Sequence, residues 1–423
     1  MLKKILLITA WVSYFALASG QDGSVTLDYC LNQALANHPL FDQYDLLASS
    51  SGLKIKNFNR NYLPEMNING DAHYQSDVTE IPIFSPAFII EPLDKDQYKI
   101  SLDVSELIYD GGLTKRNKDV EYIDNQINQQ NIGIDLYRLK EKVIGVYFSI
   151  ISLQENRELL NVNRQNLKSR LKEVESGVKN GMVLSSNAEI LKAELLKIDQ
   201  KEIEIEAGIS SGYKVLSILT GDTIIIGTQL LWGNPSVEPY LPGHDRLEYN
   251  LFSLQQQKAE SLKKLASSRL MPRLLAYGQA GYGKPGFNML LNEFDDYYII
   301  GAKLSWNFWN WNKTRNEKSI LDLQKEILAS SRESFDQNLA VDLERRMAEI
   351  TKIETLLPKD EEISKIRAGI VQSYASRLQN GVITATEYIT ELNAETEARL
   401  NLKIHQIQLV RAKYEYLSTA GKL

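Results

Sequence analysis

Between Gly112 and Gly177 the chain has no proline, and apolar residues recur at alternating steps of four and three. Starting at Leu139, those steps land on Val143, Val146, Ile150, Leu153, Leu160, Leu167, Leu171, Val174 and Val178, interrupted only by Arg157 and Arg164. A seam with that spacing is the mark of a coiled-coil helix. Such a helix, ~1.5 Å per residue, is roughly 100 Å long here, far more than a globular core requires. The same seam returns 200 residues later, from Leu339 to Leu378, where Pro358 is the one breaker and predicts a kink. Shorter helical patterns cover residues 26–62, 185–219, 246–270 and 384–419. Residues 220–245 are rich in Gly and Pro and break the periodicity.

A second pattern has period two. Met66, Ile68, Gly70, Ala72 and Tyr74 alternate with Asn67, Asn69, Asp71 and His73, and Tyr98, Ile100, Leu102 and Val104 with Lys99, Ser101 and Asp103. Tyr298 to Phe308 alternates more weakly, and 274–283 is Gly/Ala-rich. Alternation over about ten residues fits a half-buried strand, and also a tilted strand that crosses a bilayer. Tyr297 and Tyr298 stand at one end of the last strand. Trp306, Phe308, Trp309 and Trp311 stand at the other, an arrangement like the aromatic belts of membrane barrels.

The two patterns belong to one duplication. Tyr98 matches Tyr298, Thr114 matches Thr314 and Asn180-Gly181 matches Asn380-Gly381, all offset by 200; Pro64, Gly70 and Tyr74 match Pro272, Gly278 and Tyr282 at 208. The eight-residue difference falls between Tyr74 and Tyr98, as expected of a loop of free length. Each half reads helix, strand, loop, strand, very long helix, turn, helix. The expected organisation is a signal peptide over 1–20, a first repeat over 21–221, a linker over 222–245 and a second repeat over 246–423.

Lys3-Lys4, the apolar run 5–17 and Ala16-Leu17-Ala18 make the N-terminus a secretory signal. No later stretch has the length of a transmembrane helix. Of 423 residues 43% are hydrophobic, and 48 basic against 54 acidic side chains leave a net charge of -6 without a basic stripe, which argues against nucleic-acid binding. One Cys excludes an intrachain disulfide, and four His supply no metal cluster. Gly278 to Lys284 looks faintly like a phosphate loop, but Pro285-Gly286 follows where a helix would be needed, and His38 before Pro39 reads as a turn residue. No titratable groups converge, so the expectation is a protein that is not an enzyme and carries no cofactor or metal.

Four strands do not close a barrel, whereas three copies would supply twelve. With Ser24-Val-Thr-Leu-Asp, the Asn37-His38-Pro39 break, Tyr62-Leu63-Pro64, Leu107-Ile-Tyr-Asp-Gly-Gly112 and Leu304-Ser-Trp-Asn-Phe-Trp-Asn310 in this order, the mature chain resembles the TolC-like outer-membrane efflux family. The resemblance implies a mainly α fold with a β-barrel portion: a long helical coiled-coil tunnel, plus four strands per chain contributing to a trimeric 12-stranded outer-membrane barrel. It implies a homotrimer in outer-membrane lipid that extends into the periplasm. The trimer would be an exit duct for efflux or type I secretion, docked on a periplasmic adaptor (membrane fusion protein) and an inner-membrane pump. The other reading of the same helices is a non-conducting periplasmic scaffold or tether.

The resemblance also assigns sites. Asn180-Gly181-Met182 and Asn380-Gly381-Val382 match the periplasmic tip and its adaptor contact. Glu387 matches an acidic gate residue, with Thr390 where a second aspartate is usual and Glu391 beside it. Ser186 and Asn187 face the gate from the first repeat. Ile383 stands where a basic residue would brace the gate. Glu387 and Glu391 are one helical turn apart, and trimer symmetry would turn either into a ring.

Overall fold

The computed structural model describes residues 24–79, 92–238 and 245–423. The expected signal peptide lies outside them, as do parts of the loop after Tyr74 and of the 222–245 linker. In chain order the elements are β1 (Ser24–Thr26), α1 (Leu27–Ala36), α2 (Gln43–Arg60), β2 (Glu65–Tyr74), β3 (Asp96–Tyr109), α3 (Leu113–Lys179) and α4 (Ser185–Thr220). They continue with β4 (Gln229–Leu231), α5 (Leu247–Ser268), β5 (Arg273–Lys284), β6 (Asp295–Ser305), α6 (Lys313–Gln379) and α7 (Ala385–Ala420). The duplication survives in these bounds: α3 and α6 each have 67 residues, α4 and α7 each have 36. Helix α6 continues through Pro358.

The helical stretch over 26–62 divides at the expected Asn37-His38-Pro39 break into α1 and α2. Thr26 caps α1 by accepting from the Tyr29 N–H (3.2 Å), and the helix ends at Asn37. Pro39 has no N–H to continue it, and the His38 ring accepts from the Leu40 N–H instead (3.2 Å). The last strand ends at Ser305, short of the expected Phe308, and β3 runs on to Tyr109 with a bulge between Leu107 and Tyr109.

The chain forms two compact units, and each draws on both repeats. One contains the described residues among 24–42, 132–247 and 335–423. Its core is the predicted seam: Leu139, Val143, Ile150, Leu160, Leu167 and Val174 are buried, as are Leu339, Leu343, Ile350, Ile353 and Leu378. At the interrupting positions, Arg164 bridges to Asp199 (2.9 Å) and Glu202 on α4, so its charge is neutralised beside the core. Strands β1 and β4 pair in parallel, Val25 opposite Leu230. The fully buried Tyr147 holds both, its hydroxyl lying 2.7 Å from the Val25 carbonyl and 2.6 Å from that of Leu231.

The other unit, residues 43–131 and 248–334 where described, carries an antiparallel sheet of four strands in the order β2-β3-β5-β6. Its helical part is tied by ion pairs such as Lys263–Asp322 (2.7 Å) and Lys258–Asp124 (2.6 Å). At the strand-to-helix junction Asp110 accepts from the Tyr62 hydroxyl (2.9 Å) and from the N–H groups of Gly112 (2.8 Å) and Thr114 (2.6 Å), thereby capping α3. Burial opposes its ionisation, but these hydrogen bonds prevail and hold the carboxyl below its usual range.

Candidate functional site

Partners opposite each other in an antiparallel ladder point to the same side, so the register sorts the sheet into two faces. Met66, Ile68, Ala72 and Tyr74 share one face with Tyr98, Ile100, Leu102 and Val104, and with Tyr282, Ala280, Ala276, Tyr298, Ile300, Ala302 and Leu304. Between its ends that face is apolar or aromatic, with Asp96, Lys284 and Asp296 at one end and Glu106 toward the other, and among the described residues its middle is uncovered: Ile68 is 76% and Ile300 82% exposed. The opposite face is mostly polar, with Tyr277, Tyr297 and Ile299 among its residues. There Asp103 accepts from the side chains of Asn69, Gln279 and Ser101, which forms a network across three strands.

Tyr297 and Tyr298, read together as one aromatic belt, lie on opposite faces. Tyr298 is on the apolar face; Tyr297 is buried on the polar face, under Phe287 (4.4 Å between rings) and with the Lys99 ammonium 5.0 Å from its centre. Successive side chains of a strand alternate in direction, so two neighbours do not share a belt. At that end the apolar face is instead finished by Phe294, stacked on Tyr282 (5.5 Å) and Tyr98 (6.3 Å). Nothing in the sequence pattern placed Phe294 there, because a loop residue has no periodicity.

At the other end Trp306, Phe308, Trp309 and Trp311 all follow β6. The Trp306 indole donates to the Leu270 carbonyl (2.9 Å) and packs on Phe308 (5.9 Å), while Trp309 packs on Trp311 (5.8 Å). Among the described residues, strands β2 and β6 are each paired on one side only. The sheet is thus an open ribbon with one apolar face and two bare edges.

The predicted tips are two matched turns in the helical unit. Gly181 and Gly381 sit at φ +69° and +71°, a region glycine enters without steric cost. The Met182 N–H closes back on the Gly177 carbonyl and the Val382 N–H on that of Arg377 (both 2.9 Å), the 6→1 bond of a Schellman cap. Asn180 and Asn380 are each tied back four residues, to Ser176 and Ser376. Met182, Leu184 and Val382 leave their apolar side chains exposed. The turns border one cleft of about 650 Å³, lined among others by Arg170, Glu173, Val183, Leu378 and Gly381.

The gate candidates lie just past these turns. Glu387 closes a capping box with Thr384, its carboxylate accepting from the Thr384 N–H (2.7 Å) and hydroxyl (2.9 Å). The backbone hydrogen bond first, then the hydroxyl, holds this carboxyl below its ordinary value. Glu391 is bound to Arg367 of α6 (2.9 Å). Thr390 donates to the Thr386 carbonyl (2.9 Å), and Ser186 is exposed. Asn187 accepts from the Ala385 N–H (3.1 Å), so a first-repeat side chain caps the second-repeat helix. Ile383 packs against the core, and the basic partner of Glu391 comes from α6, at Arg367. Sequence reasoning missed Arg367, and also Tyr388, which is buried.

Among the described residues no helix is long and apolar enough to cross a membrane. No family model matches the chain, and no curated protein does. Solved structures do. CusC, described in terms of folding and transmembrane channel formation, superposes with a TM-score of 0.72 at 11% identity, over 93% of this chain and 91% of that one. The outer-membrane channel OprN gives 0.69 at 14% identity, over 94% and 90%. The CmeC outer membrane channel of Campylobacter jejuni gives 0.67 at 13%, over 94% and 85%. The chain has the fold of these outer-membrane channels, the TolC-like fold.

Proposed function

We propose that this chain is one third of a trimeric exit duct in the outer membrane, passing substrates delivered by an inner-membrane pump across the periplasm. The observation that carries the reading is the open four-stranded ribbon, with one face apolar along its middle and two edges unpaired among the described residues. In water such edges and such a face are a liability. In lipid they become consistent once three ribbons pair edge to edge, because a closed barrel satisfies every backbone group. The polar face then lines an aqueous lumen. The likeness to outer-membrane channels supports the same reading.

The tips are proposed as the adaptor contact. Asn180, Gly181 and Met182 with Asn380, Gly381 and Val382 present exposed apolar side chains beside a cleft that a partner's helical hairpin would fill. The gate is proposed at Glu387, Thr390 and Glu391, faced by Ser186 and Asn187; adaptor docking would shift α7 and widen the ring of carboxylates. The signal peptide over 1–20 and the two repeats joined by 222–245 belong to the same proposal, since the protein must be exported to reach this membrane.

The test is the mass of the protein extracted from outer membranes in detergent, followed by single-channel recording of the same sample. A trimer with small, cation-preferring conductance is expected. A monomer or dimer that needs no detergent and conducts nothing would dismiss the duct and leave a periplasmic tether.

A further inference from the structure

The two repeats agree to the single residue within the sheet. Glu65 pairs with Ser105; carried forward by 208 and 200 residues this becomes Arg273 with Ser305, which is the observed pair. Tyr74 with Asp96 becomes Tyr282 with Asp296, also observed. The β2–β3 and β5–β6 ladders are therefore the same ladder twice. The third ladder, β3–β5, has no counterpart within the chain. Its counterpart joins β6 to β2, the two bare edges, and four strands cannot curl far enough to bring them together.

Resting on the trimer reading above, we infer that β6 of one copy pairs with the partner subunit's β2 in the register of β3 on β5, and that Trp311 is the knob that locks this seam. Carrying the observed pairs across, Ile100–Tyr282 becomes Ile300 opposite the partner subunit's Tyr74. Leu102–Ala280 becomes Ala302 opposite the partner subunit's Ala72, and Val104–Gly278 becomes Leu304 opposite the partner subunit's Gly70. All six positions lie on the apolar face, as the even offsets and the matched ladders carry it. A register displaced by one residue would have set apolar against polar positions.

Beyond the strands the two repeats differ, and the difference falls on the seam. Inside the chain Gly111, at φ +70°, lies so close to Met271 that an added Cβ would come within 2.3 Å of the Met271 Cβ. The counterpart of Gly111 is Trp311 and that of Met271 is Leu63. Trp311 and Asn312 hold φ +52° and +63°, which L side chains rarely adopt, so the second repeat keeps the turn but fills it with an indole. That indole is 83% exposed and Leu63 is 61% exposed. Leu63 and Arg60 rim a hollow of about 640 Å³ that includes Leu107 and Leu275. Arg60 makes no ion pair among the described residues, leaving its guanidinium available to an aromatic ring. Where the internal junction closes with a glycine, the junction between copies has space for a tryptophan on the partner subunit's Leu63 and Arg60.

The test uses the full-length protein in detergent. Residues directly opposite in a ladder bring Cβ atoms within about 4.5–5.5 Å, near disulfide range, whereas diagonal ones stand about 7–8 Å apart. The natural Cys30 does not interfere: it is fully buried, and burial, aided by Asp222, pushes its thiol up to about 12. Ala302→Cys with Ala72→Cys is expected to give covalent dimers and trimers under mild oxidation, and Ala302→Cys with Gly70→Cys to give few. The reverse result overturns the register. Absence of crosslinks in both, from a sample whose mass is that of a trimer, overturns the β6–β2 seam while leaving the trimer standing. A mass other than a trimer's sinks the underlying reading instead. For the knob, Trp311→Gly trimers are expected to dissociate at lower temperature in SDS. If relief of the left-handed turn makes them equally or more resistant, Trp311 is not part of the seam.

Discussion

Arg367 on α6 donates to Glu391 on α7 across 2.9 Å, joining the long helix of the second repeat to its returning helix just behind the tip. With side chains 39% and 23% exposed, the pair is half-shielded, and ion pairs of this kind contribute about 1 kcal/mol or less. That small energy suits a contact that would yield if the tip opens as proposed. Arg367→Ser is expected to raise closed-state conductance by up to about fivefold, the factor that ~1 kcal/mol implies. Single-channel recording against the wild type checks it. Glu387→Ala with Glu391→Ala is expected to change both conductance and cation preference, and unchanged values for that double variant would remove these residues from the gate.

Glu387 predicts a pH dependence at the start of α7. Its folded pKa is depressed, so it contributes stability above the unfolded carboxylate value of about 4.3, and this contribution is lost as pH falls through the lower folded value. Amide exchange at Ala385 to Tyr388 should therefore quicken relative to neighbouring turns in acid, and Glu387→Gln should show the fast behaviour already at neutral pH. Thr384→Ala removes the other half of the capping box and is expected to cost the helix start ~1 kcal/mol.

Ile299 and Ile300 are neighbours on opposite faces of β6. Arginine at the lipid face near the bilayer midplane costs about 2–4 kcal/mol, while lumen substitutions are tolerated. Ile300→Arg is expected to abolish insertion into lipid vesicles and recovery from the outer membrane. Ile299→Arg should insert and alter conductance instead. Equal behaviour of the two variants would refute the assignment of the faces.

Tyr147 serves two carbonyls on separate strands, Val25 on β1 and Leu231 on β4, from a fully buried position. Tyr147→Phe keeps the packing and removes the hydroxyl, with an expected loss of about 1–3 kcal/mol. Faster proteolysis after residue 231, with insertion and conductance unchanged, would locate the effect in this collar.

The long seam and the alternating strands could be read from the chain because each depends on positions three, four or two residues apart, which local geometry repeats. The duplication could be read for a related reason: turns such as Asn180-Gly181 and Asn380-Gly381 need particular residues at particular places. The break at Pro39 likewise follows from one missing N–H. The candidate site was less accessible. Tyr297 seemed to belong with Tyr298 until strand register assigned them to opposite faces, and Glu387 and Glu391 looked like equivalent carboxylates on one helix face.

Their different fates depend on groups supplied from elsewhere: Thr384 for Glu387, and Arg367, 24 residues away on another helix, for Glu391. The same is true of Asn187 on Ala385, and of Tyr147 between two strands 206 residues apart in the chain. Periodicity records which side of an element faces the core, since burial of apolar surface acts on every turn alike. Which hydrogen bond or charge meets another across helices depends on the packing of segments far apart in sequence, and no local pattern encodes that distance.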